Sequence, residues 1–153
     1  KNSGRKVALS LSDSFCVDRH RESFLKLVED YIDVLFANED EIISLYKTSN
    51  LNLAIEKLKP KCELAAITIG EHGSILVSNG KEINIDPFIF GKAIDTTGAG
   101  DLYAGGFLKG LSNGLSPLIS ARMGSVCAGQ IVTELGSRSS SNLSNLIKSN
   151  LGI

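Results

Sequence analysis

The chain of 153 residues is long enough for one compact domain with a buried core, but it is short for most enzymes that bind two substrates. Apolar residues make up 42% of it and charged residues 22%, as in ordinary soluble globular proteins, and no apolar run is long enough to cross a bilayer. Its 16 basic residues nearly balance 17 acidic ones, which excludes a net positive field that would hold nucleic acid or an anionic membrane. Anionic ligands must therefore be bound by local groups.

The amino end, residues 1–6, has neither an initiator Met nor the apolar stretch of a signal peptide. We interpret residues 2–6 as the end of an earlier helix and its loop, which would make the chain part of a longer protein. Alternating strands and helices follow. In chain order, the predicted elements are a strand at 7–11, a polar loop at 12–14, a helix at 21–31, a strand at 33–37, a helix after Asn38, a helix at 51–58, a strand at 64–69, a hairpin of 74–78 with 82–85, and helices at 100–111, 116–134 and 141–148.

Strands joined by right-handed helical crossovers predict an α/β fold with a doubly wound, mainly parallel sheet flanked by helices. The Asn79-Gly80 turn suits a type I′ hairpin, which should add one antiparallel edge. Ligands of such sheets bind beyond the carboxyl ends of the strands, and Asn38, Gly70 and Thr97 all fall near that edge. No internal repeat or linker divides the sequence, so we expect the whole chain to be a single domain fragment.

Three widely spaced cysteines, Cys16, Cys62 and Cys127, form no CxxC pair. They favour reduced, buried thiols in a cytoplasmic protein over a disulfide framework or a zinc site. The two histidines, His20 and His72, have no Cys or carboxylate at the spacing of a zinc site, so we expect them on the surface.

The most informative segment is DTTGAGD at residues 95–101, which precedes a predicted helix. Its small residues let backbone N–H groups approach an anion, and the helix amino terminus adds its dipole and unsatisfied donors. An acid such as Asp101 is equally typical of an ordinary first helical turn, so spacing alone leaves both interpretations open. The segment matches neither the P-loop nor the dinucleotide fingerprint.

Together with the LYAGGFL that follows it, this segment resembles the carboxy-terminal signature of the ribokinase-like, or PfkB, carbohydrate kinase family. The resemblance implies that Asp101 is the catalytic base and that Gly98, Ala99 and Gly100 form an anion hole around the transferred phosphoryl group. It also counts Thr97, Gly98 and Gly100 among the nucleotide contacts. Phosphoryl transfer needs charge stabilisation and an oriented hydroxyl more than covalent participation, which agrees with these roles.

Asn38 and Glu41 belong to the sequence NEDE, which resembles the family's NxxE element. The resemblance implies that both residues organise magnesium and phosphate, largely through water, and that Asn38 serves the nucleotide. Oxygen ligands that leave waters in place suit Mg²⁺. A helix capped by Asn38, with acids in its first turn, explains the same residues without any ligand.

The sequence TIGEHGS at residues 68–74 resembles the family's T-x-G-x-x-G stretch. The resemblance implies that Thr68 and Gly70 lie near the phosphates and sugar of the nucleotide, with Glu71 and Gly73 as further nucleotide-binding residues. A strand end followed by the start of a hairpin is the structural alternative for the same stretch.

Two further sets of residues follow from the resemblance. It places the nucleotide base near Ser125 and Ala128, in the small-residue sequence GSVCAG, although helix packing is the commoner reason for such a face. It also places a monovalent cation, with potassium as the candidate, near Asp95, Thr97 and the loop at 132–140.

The resemblance covers about residues 7–140, but it matches only the later half of a family member of usual size. It implies a kinase that uses ATP and magnesium to phosphorylate a hydroxyl of a sugar or nucleoside, with adenosine or ribose as candidate acceptors. Residues 7–17 and 101–104 look closest to bacterial adenosine kinase-like members. We expect a cytoplasmic protein, a homodimer as the candidate assembly, and no nucleic-acid or membrane partner.

The alternative is a catalytically incomplete nucleotide-binding module derived from such a kinase, because a retained signature does not establish a complete active site. The resemblance implies that the residues that position the sugar belong to the amino-terminal half of such kinases, which this sequence does not match. A Rossmann-type dehydrogenase domain is poorly supported. Its glycine fingerprint should follow the first strand, whereas the glycine turn here follows the last one.

Overall fold

The computed structural model describes residues 4–153. The chain forms two compact units, the first within Lys1–Ile69 and Ile75–Ile83, and the second comprising Gly70–Ser74 and Asn84–Ile153. Five strands form one sheet, in which their spatial order is their order along the chain. The expectation of a single domain fragment stays a prediction.

Most bounds of the elements lie within one residue of the predicted ones. The strands are β1 (Ala8–Ser10), β2 (Val34–Asn38), β3 (Leu64–Thr68), β4 (Ser74–Ser78) and β5 (Lys81–Ile85). The helices are α1 (Ser14–Arg19), α2 (Arg21–Asp30), α3 (Glu39–Tyr46), α4 (Leu51–Leu58), α5 (Ala99–Ser112), α6 (Pro117–Ile131) and α7 (Leu143–Leu151), and a 3-10 turn spans Gly70–His72. Within residues 4–153, none of these helices combines the length and the apolar character needed to span a bilayer. Residues 2 and 3, which we assigned to a preceding helix, lie outside the described residues.

The pairing of the strands confirms the predicted α/β class. β1, β2 and β3 are parallel neighbours, with Leu9 opposite Leu35 and Leu35 opposite Ala65. β4 and β5 are joined by Asn79 and Gly80, whose φ angles of 49° and 75° suit a type I′ turn. The sheet is therefore mixed, with parallel strands joined by helices and a hairpin at one edge.

The core of the first unit lies between one face of the sheet and helices α1 to α4. Each strand from β2 to β4 directs alternate apolar residues into this core, and Phe36, Ala66 and Leu76, which point to the opposite face, are buried as well. Burial on both faces explains why β2 and β3 contain no alternating polar residues. The buried core residues are Leu11, Val17, Val28, Leu35, Ala37, Ile42, Leu45, Ala54, Ile55, Leu58, Cys62, Ala65, Ile67, Ile75 and Val77.

In the second unit, glycines allow α5 and α6 to pack closely. A Cβ atom on Gly106 would lie 2.8 Å from the carbonyl oxygen of Met123 and 2.9 Å from Sγ of Cys127. One on Gly124 would lie 2.7 Å from the carbonyl oxygen of Tyr103. Helix packing therefore accounts for at least part of the small-residue face of α6, as the commoner interpretation of GSVCAG predicts.

Many boundaries differ from the prediction by one residue, and larger differences occur at α1, at the end of α6 and at both ends of α7, which extends to Leu151 and not to residue 148. Local capping explains two of these larger differences. Asp13 accepts the N–H groups of Phe15 at 3.1 Å and Cys16 at 3.2 Å, so a short helix, α1, begins where we predicted a polar loop. Asn142 caps α7, which therefore begins at Leu143 and not at residue 141. α6 ends at Ile131, before the predicted end at residue 134.

The expected burial of the thiols is only partly correct. Cys62 and Cys127 are buried, but Cys16 is exposed on α1, and all three are free. Burial raises the pKa of Cys127 to about 11, so this thiol stays protonated at neutral pH. Both histidines are exposed, as we expected.

Candidate active site

The glycine turn lies in the second unit and leads directly into α5. Gly98 takes the N-cap position with a φ angle of 79°, a left-handed backbone conformation that residues with a Cβ atom rarely adopt. Its carbonyl oxygen accepts the N–H of Leu102 at 2.9 Å, which closes the first helical turn. Asp101 is the acid in that turn, and its side chain is exposed. The carboxylate is therefore accessible to a ligand.

The N–H groups of this turn differ in their availability. Ala99 donates its N–H to the carbonyl oxygen of Thr96 at 3.2 Å, so that donor is already engaged. Gly98 and Gly100 donate to no acceptor within the described part of the chain. Two of the three residues of the predicted anion hole thus have a free N–H group near the positive end of the α5 dipole, which suits an anion.

Asp95, at the start of the turn, is held by two backbone amides. Its Oδ1 accepts the N–H of Thr97 and its Oδ2 accepts the N–H of Gly136, both at 2.9 Å. These bonds, the one from Thr97 first, lower the pKa of the Asp95 carboxyl below its ordinary value. The ionised carboxylate suits a monovalent cation. Each of its two oxygens already accepts one backbone N–H, so a cation would bind through the lone pairs that remain free.

In the first unit, Asn38 and Glu41 form a capping box at the start of α3. The side-chain oxygen of Asn38 accepts the N–H of Glu41 at 2.8 Å. In return, Oε2 of Glu41 accepts the N–H of Asn38 at 3.0 Å, and Oε1 accepts its Nδ2–H at 2.9 Å. The predicted cap is confirmed, and the two residues predicted to organise magnesium are in direct contact.

This arrangement suits magnesium held through water better than direct coordination by Glu41. The side chain is buried, and burial is the main reason that its pKa is raised, with the negative charges of Asp13 and Asp40 acting in the same direction. Those charges favour a nearby cation, but both carboxylate oxygens already accept an N–H group. No group of three or more His, Cys, Asp or Glu side chains among residues 4–153 is arranged to hold a metal. Waters would have to complete the shell, as Mg²⁺ tolerates.

Thr68 lies at the carboxyl end of β3, directly opposite Asn38 in the pairing of β2 with β3. Its hydroxyl donates weakly, at 3.5 Å, to the carbonyl oxygen of Ala37. Within the first unit, the structure therefore places Thr68 beside the capping box at one edge of the sheet.

Gly70, Glu71 and Gly73 belong to the second unit. Gly70 and Gly73 have φ angles of 61° and 89°, and the N–H of Gly73 donates to the carbonyl oxygen of Gly70 at 3.2 Å. A Cβ atom on Gly73 would lie only 2.2 Å from the carbonyl oxygen of Ile85, so packing alone requires glycine there. The side chain of Glu71 is exposed. Packing at the start of the hairpin thus explains the glycine at position 73. A Cβ atom on Gly70 would meet no atom within 4 Å, so packing does not explain the glycine there.

Ser125 and Ala128, the predicted neighbours of the nucleotide base, both lie on α6. The Ser125 side chain is buried, and its hydroxyl donates to the carbonyl oxygen of Asp86 at 2.9 Å. Ala128 is partly exposed. Ser125 therefore has a structural partner already, and Ala128 is the more accessible of the two.

Two polar contacts in the second unit were not predicted. The hydroxyls of Ser74 and Tyr103 lie 2.8 Å apart, both side chains are buried, and burial raises the pKa of Tyr103 to about 12. Glu134 accepts hydrogen bonds from Gln130 on α6 and from Ser139 and Ser140 in the loop that follows this helix. In the sequence, Tyr103 stands out as a polar group among apolar helix residues, and Glu134 as an acid before a serine-rich run. Neither feature identifies the residue that forms the hydrogen bond.

Comparisons with known proteins place these features in context. A sequence model of the pfkB family carbohydrate kinases matches residues 1–144. The ribokinase of Lactococcus lactis is 32% identical over 119 residues, which cover 77% of this chain and 38% of that protein. The crystal structure of adenosine kinase from Sinorhizobium meliloti has a TM-score of 0.92 at 38% identity and covers 97% of this chain and 46% of its own. That of a probable sugar kinase from Rhizobium etli has a TM-score of 0.95 at 36% identity, with coverages of 99% and 46%.

These similarities confirm the predicted resemblance to the PfkB family, including the likeness to a bacterial adenosine kinase. The TM-scores also confirm the predicted ribokinase-like fold. The chain spans less than half the length of each of these three relatives.

Proposed function

We propose, from the premise that this chain belongs to the pfkB family of carbohydrate kinases, that the protein containing it uses ATP and magnesium to phosphorylate a hydroxyl group of a sugar or nucleoside. The observation that carries the proposal is the glycine turn. Its Gly98 and Gly100 N–H groups are free, and Asp101 is exposed in the first turn of the same helix. The proposed anion site and the proposed base thus lie on neighbouring residues at the start of one helix.

In the proposed reaction, the Asp101 carboxylate accepts the proton of the acceptor hydroxyl while the hydroxyl oxygen forms a bond to the γ-phosphorus atom of ATP. The bond from that phosphorus to the oxygen bridging it to the β-phosphate breaks, and ADP leaves. Gly98 and Gly100 donate their N–H groups to the oxygens of the transferred group, where negative charge develops. Phosphoryl transfer depends mainly on such positioning and charge stabilisation. Ala99 contributes to this anion hole once its N–H leaves the carbonyl oxygen of Thr96.

The other predicted residues bind the nucleotide and its cations in this proposal. Magnesium, when bound, neutralises phosphate charge, and Asn38 and Glu41 orient its waters. Potassium is the candidate cation beside Asp95 and Thr97. The remaining proposed nucleotide-binding residues are Thr68, Gly70, Glu71, Gly73, Ser125 and Ala128.

Adenosine and ribose are the proposed acceptors because similar proteins include an adenosine kinase and a ribokinase. The limited coverage of these relatives keeps the alternative open, a nucleotide-binding module without independent catalysis. We also propose a cytoplasmic location and a homodimeric assembly, for which the family is the support.

The test is an assay of the protein at the full length that its gene encodes, with ATP, magnesium and a panel of adenosine, ribose and fructose. Asp101→Asn should lower kcat by roughly a hundredfold to ten-thousandfold, the usual contribution of a general base, and leave ATP affinity nearly unchanged. Asp30→Asn is the matched control, because Asp30 is exposed at the end of α2. Unchanged turnover in Asp101→Asn would refute the role of the base, and ATP binding without turnover of any acceptor would favour the alternative.

A further inference from the structure

The loop after α6 is gathered around one carboxylate. Oε1 of Glu134 accepts the Nε2–H of Gln130 at 2.9 Å and the hydroxyl of Ser139 at 2.8 Å. Its Oε2 accepts the backbone N–H of Ser140 at 2.6 Å. These bonds, the one from the Ser140 backbone first, lower the pKa of Glu134 to about 2, so the carboxylate is ionised at any physiological pH.

Packing contributes little to the shape of this loop. None of the residues from 134 to 140 is buried, and the Leu135 side chain is 80% exposed. A surface segment without apolar burial is held mainly by its hydrogen bonds. The bonds to Glu134 join the end of α6 to the far end of the loop, so this carboxylate determines the path of the chain between them.

The same loop contacts both the start and the middle of the glycine turn. The N–H of Gly136 donates to Oδ2 of Asp95 at 2.9 Å. A Cβ atom on Gly98 would lie 2.7 Å from Cβ of Ser137, so these backbones are nearly in van der Waals contact. The position of the loop therefore affects both Asp95 and the residue that provides the N-cap of α5.

We infer that Glu134 is a positioning residue for the phosphoryl-transfer turn, an inference that rests on the proposed function. Its carboxylate holds the loop so that Gly136 restrains Asp95 and Ser137 supports Gly98. Loss of the carboxylate frees the loop, releases the Gly136 N–H from Asp95 and lets the free N–H groups of the turn move. Catalysis through charge stabilisation is sensitive to such displacements, because the donors must point to the position where charge develops.

The experiment compares Glu134→Ala, Glu134→Gln and the charge-matched control Glu22→Ala in the full-length protein. Glu22 is exposed in the first turn of α2, so its removal leaves the loop intact. Gln keeps the shape of the side chain and one strong acceptor, but its NH₂ group cannot accept a hydrogen bond. Two quantities are measured, the hydrogen-exchange rate of the Gly136 amide by NMR and the steady-state kinetics.

In Glu134→Ala, Gly136 exchange should accelerate by about tenfold or more, as expected for a surface loop that opens locally. The value of kcat should fall by roughly tenfold to a hundredfold while the acceptor KM stays within about twofold, because the turn is displaced and not removed. Glu134→Gln should give smaller changes in the same direction, and Glu22→Ala none.

Unchanged Gly136 exchange in Glu134→Ala would overturn the inference, and so would accelerated exchange with unaltered kcat. A wild-type protein that turns over no acceptor would instead refute the proposed function. The exchange rate of the Gly136 amide would then still show whether Glu134 holds the loop against the turn.

Discussion

Gly105 and Gly106 are consecutive residues of α5, and replacement with alanine should raise stability at Gly105 but not at Gly106. Gly105 is exposed, and a Cβ atom there would meet no atom within 4 Å beyond its own helix backbone. Gly106 is buried against α6, where a Cβ atom would lie 2.8 Å from the carbonyl oxygen of Met123 and 2.9 Å from Sγ of Cys127. Contacts this short require α6 to move.

The magnitudes follow from two opposing effects. Alanine is favoured over glycine in a helix interior by about 1 kcal/mol, and this gain applies at both positions. At Gly105 nothing opposes it, so the variant should be more stable by that amount. At Gly106 overpacking costs about 1–3 kcal/mol, because a backbone carbonyl cannot be relieved by a change of side-chain rotamer. The two variants should therefore differ by about 1–3 kcal/mol in their free energy of unfolding.

Urea denaturation followed by circular dichroism measures this difference. With an m-value of about 2 kcal/mol/M, the midpoint of Gly105→Ala should exceed that of Gly106→Ala by roughly 0.5–1.5 M. The urea midpoint of the wild type should lie between those of the two variants or close to that of Gly106→Ala. If Gly106→Ala unfolds at the same urea concentration as Gly105→Ala, or at a higher one, the close approach of the two helices is wrong.

Two further predictions concern buried polar contacts and use the same measurement. Tyr103→Phe removes a hydrogen bond between two buried hydroxyls and should cost about 1–3 kcal/mol. The double variant with Ser74→Ala should lose less than the sum of the single losses, and strict additivity would argue against the contact. Asn38→Ala should lower the free energy of unfolding by about 1 kcal/mol through loss of the helix cap. The buried Glu41 also loses the Nδ2–H donor of Asn38, which should raise the total loss to as much as about 3 kcal/mol. Asn50→Ala removes the cap of α4, where no buried carboxylate takes part, and should cost only about 1 kcal/mol; equal losses in the two Asn variants would contradict this reasoning.

Several elements were predictable because their signals are local. Asn50 begins α4 and Pro60 follows its end, so the predicted bounds of that helix agree with the structure. Asn79 and Gly80 provide the two positive φ angles of the hairpin turn. Such features depend on a few neighbouring residues, whose conformational preferences act before any long-range contact forms.

Other elements were missed for equally physical reasons. α1 has six residues, too few to show helical periodicity, and Asp13 is as typical of a loop as of a cap. No strong helix breaker stands directly after Ile131, but α6 ends there and a series of turns follows. Periodicity does not mark such an end when no proline follows and the nearest glycine lies several residues later.

For this protein, local sequence signals specify most helices and strands and the glycine turn, and the resemblance to a known family predicts the candidate site residues. Which polar groups contact one another depends instead on how the chain packs in three dimensions. Ser74 and Tyr103 are 29 positions apart, and Gly136 and Asp95 are 41 apart. Contacts of this kind depend on how helices and loops pack, because spacing along the chain does not determine which side chains approach one another in space.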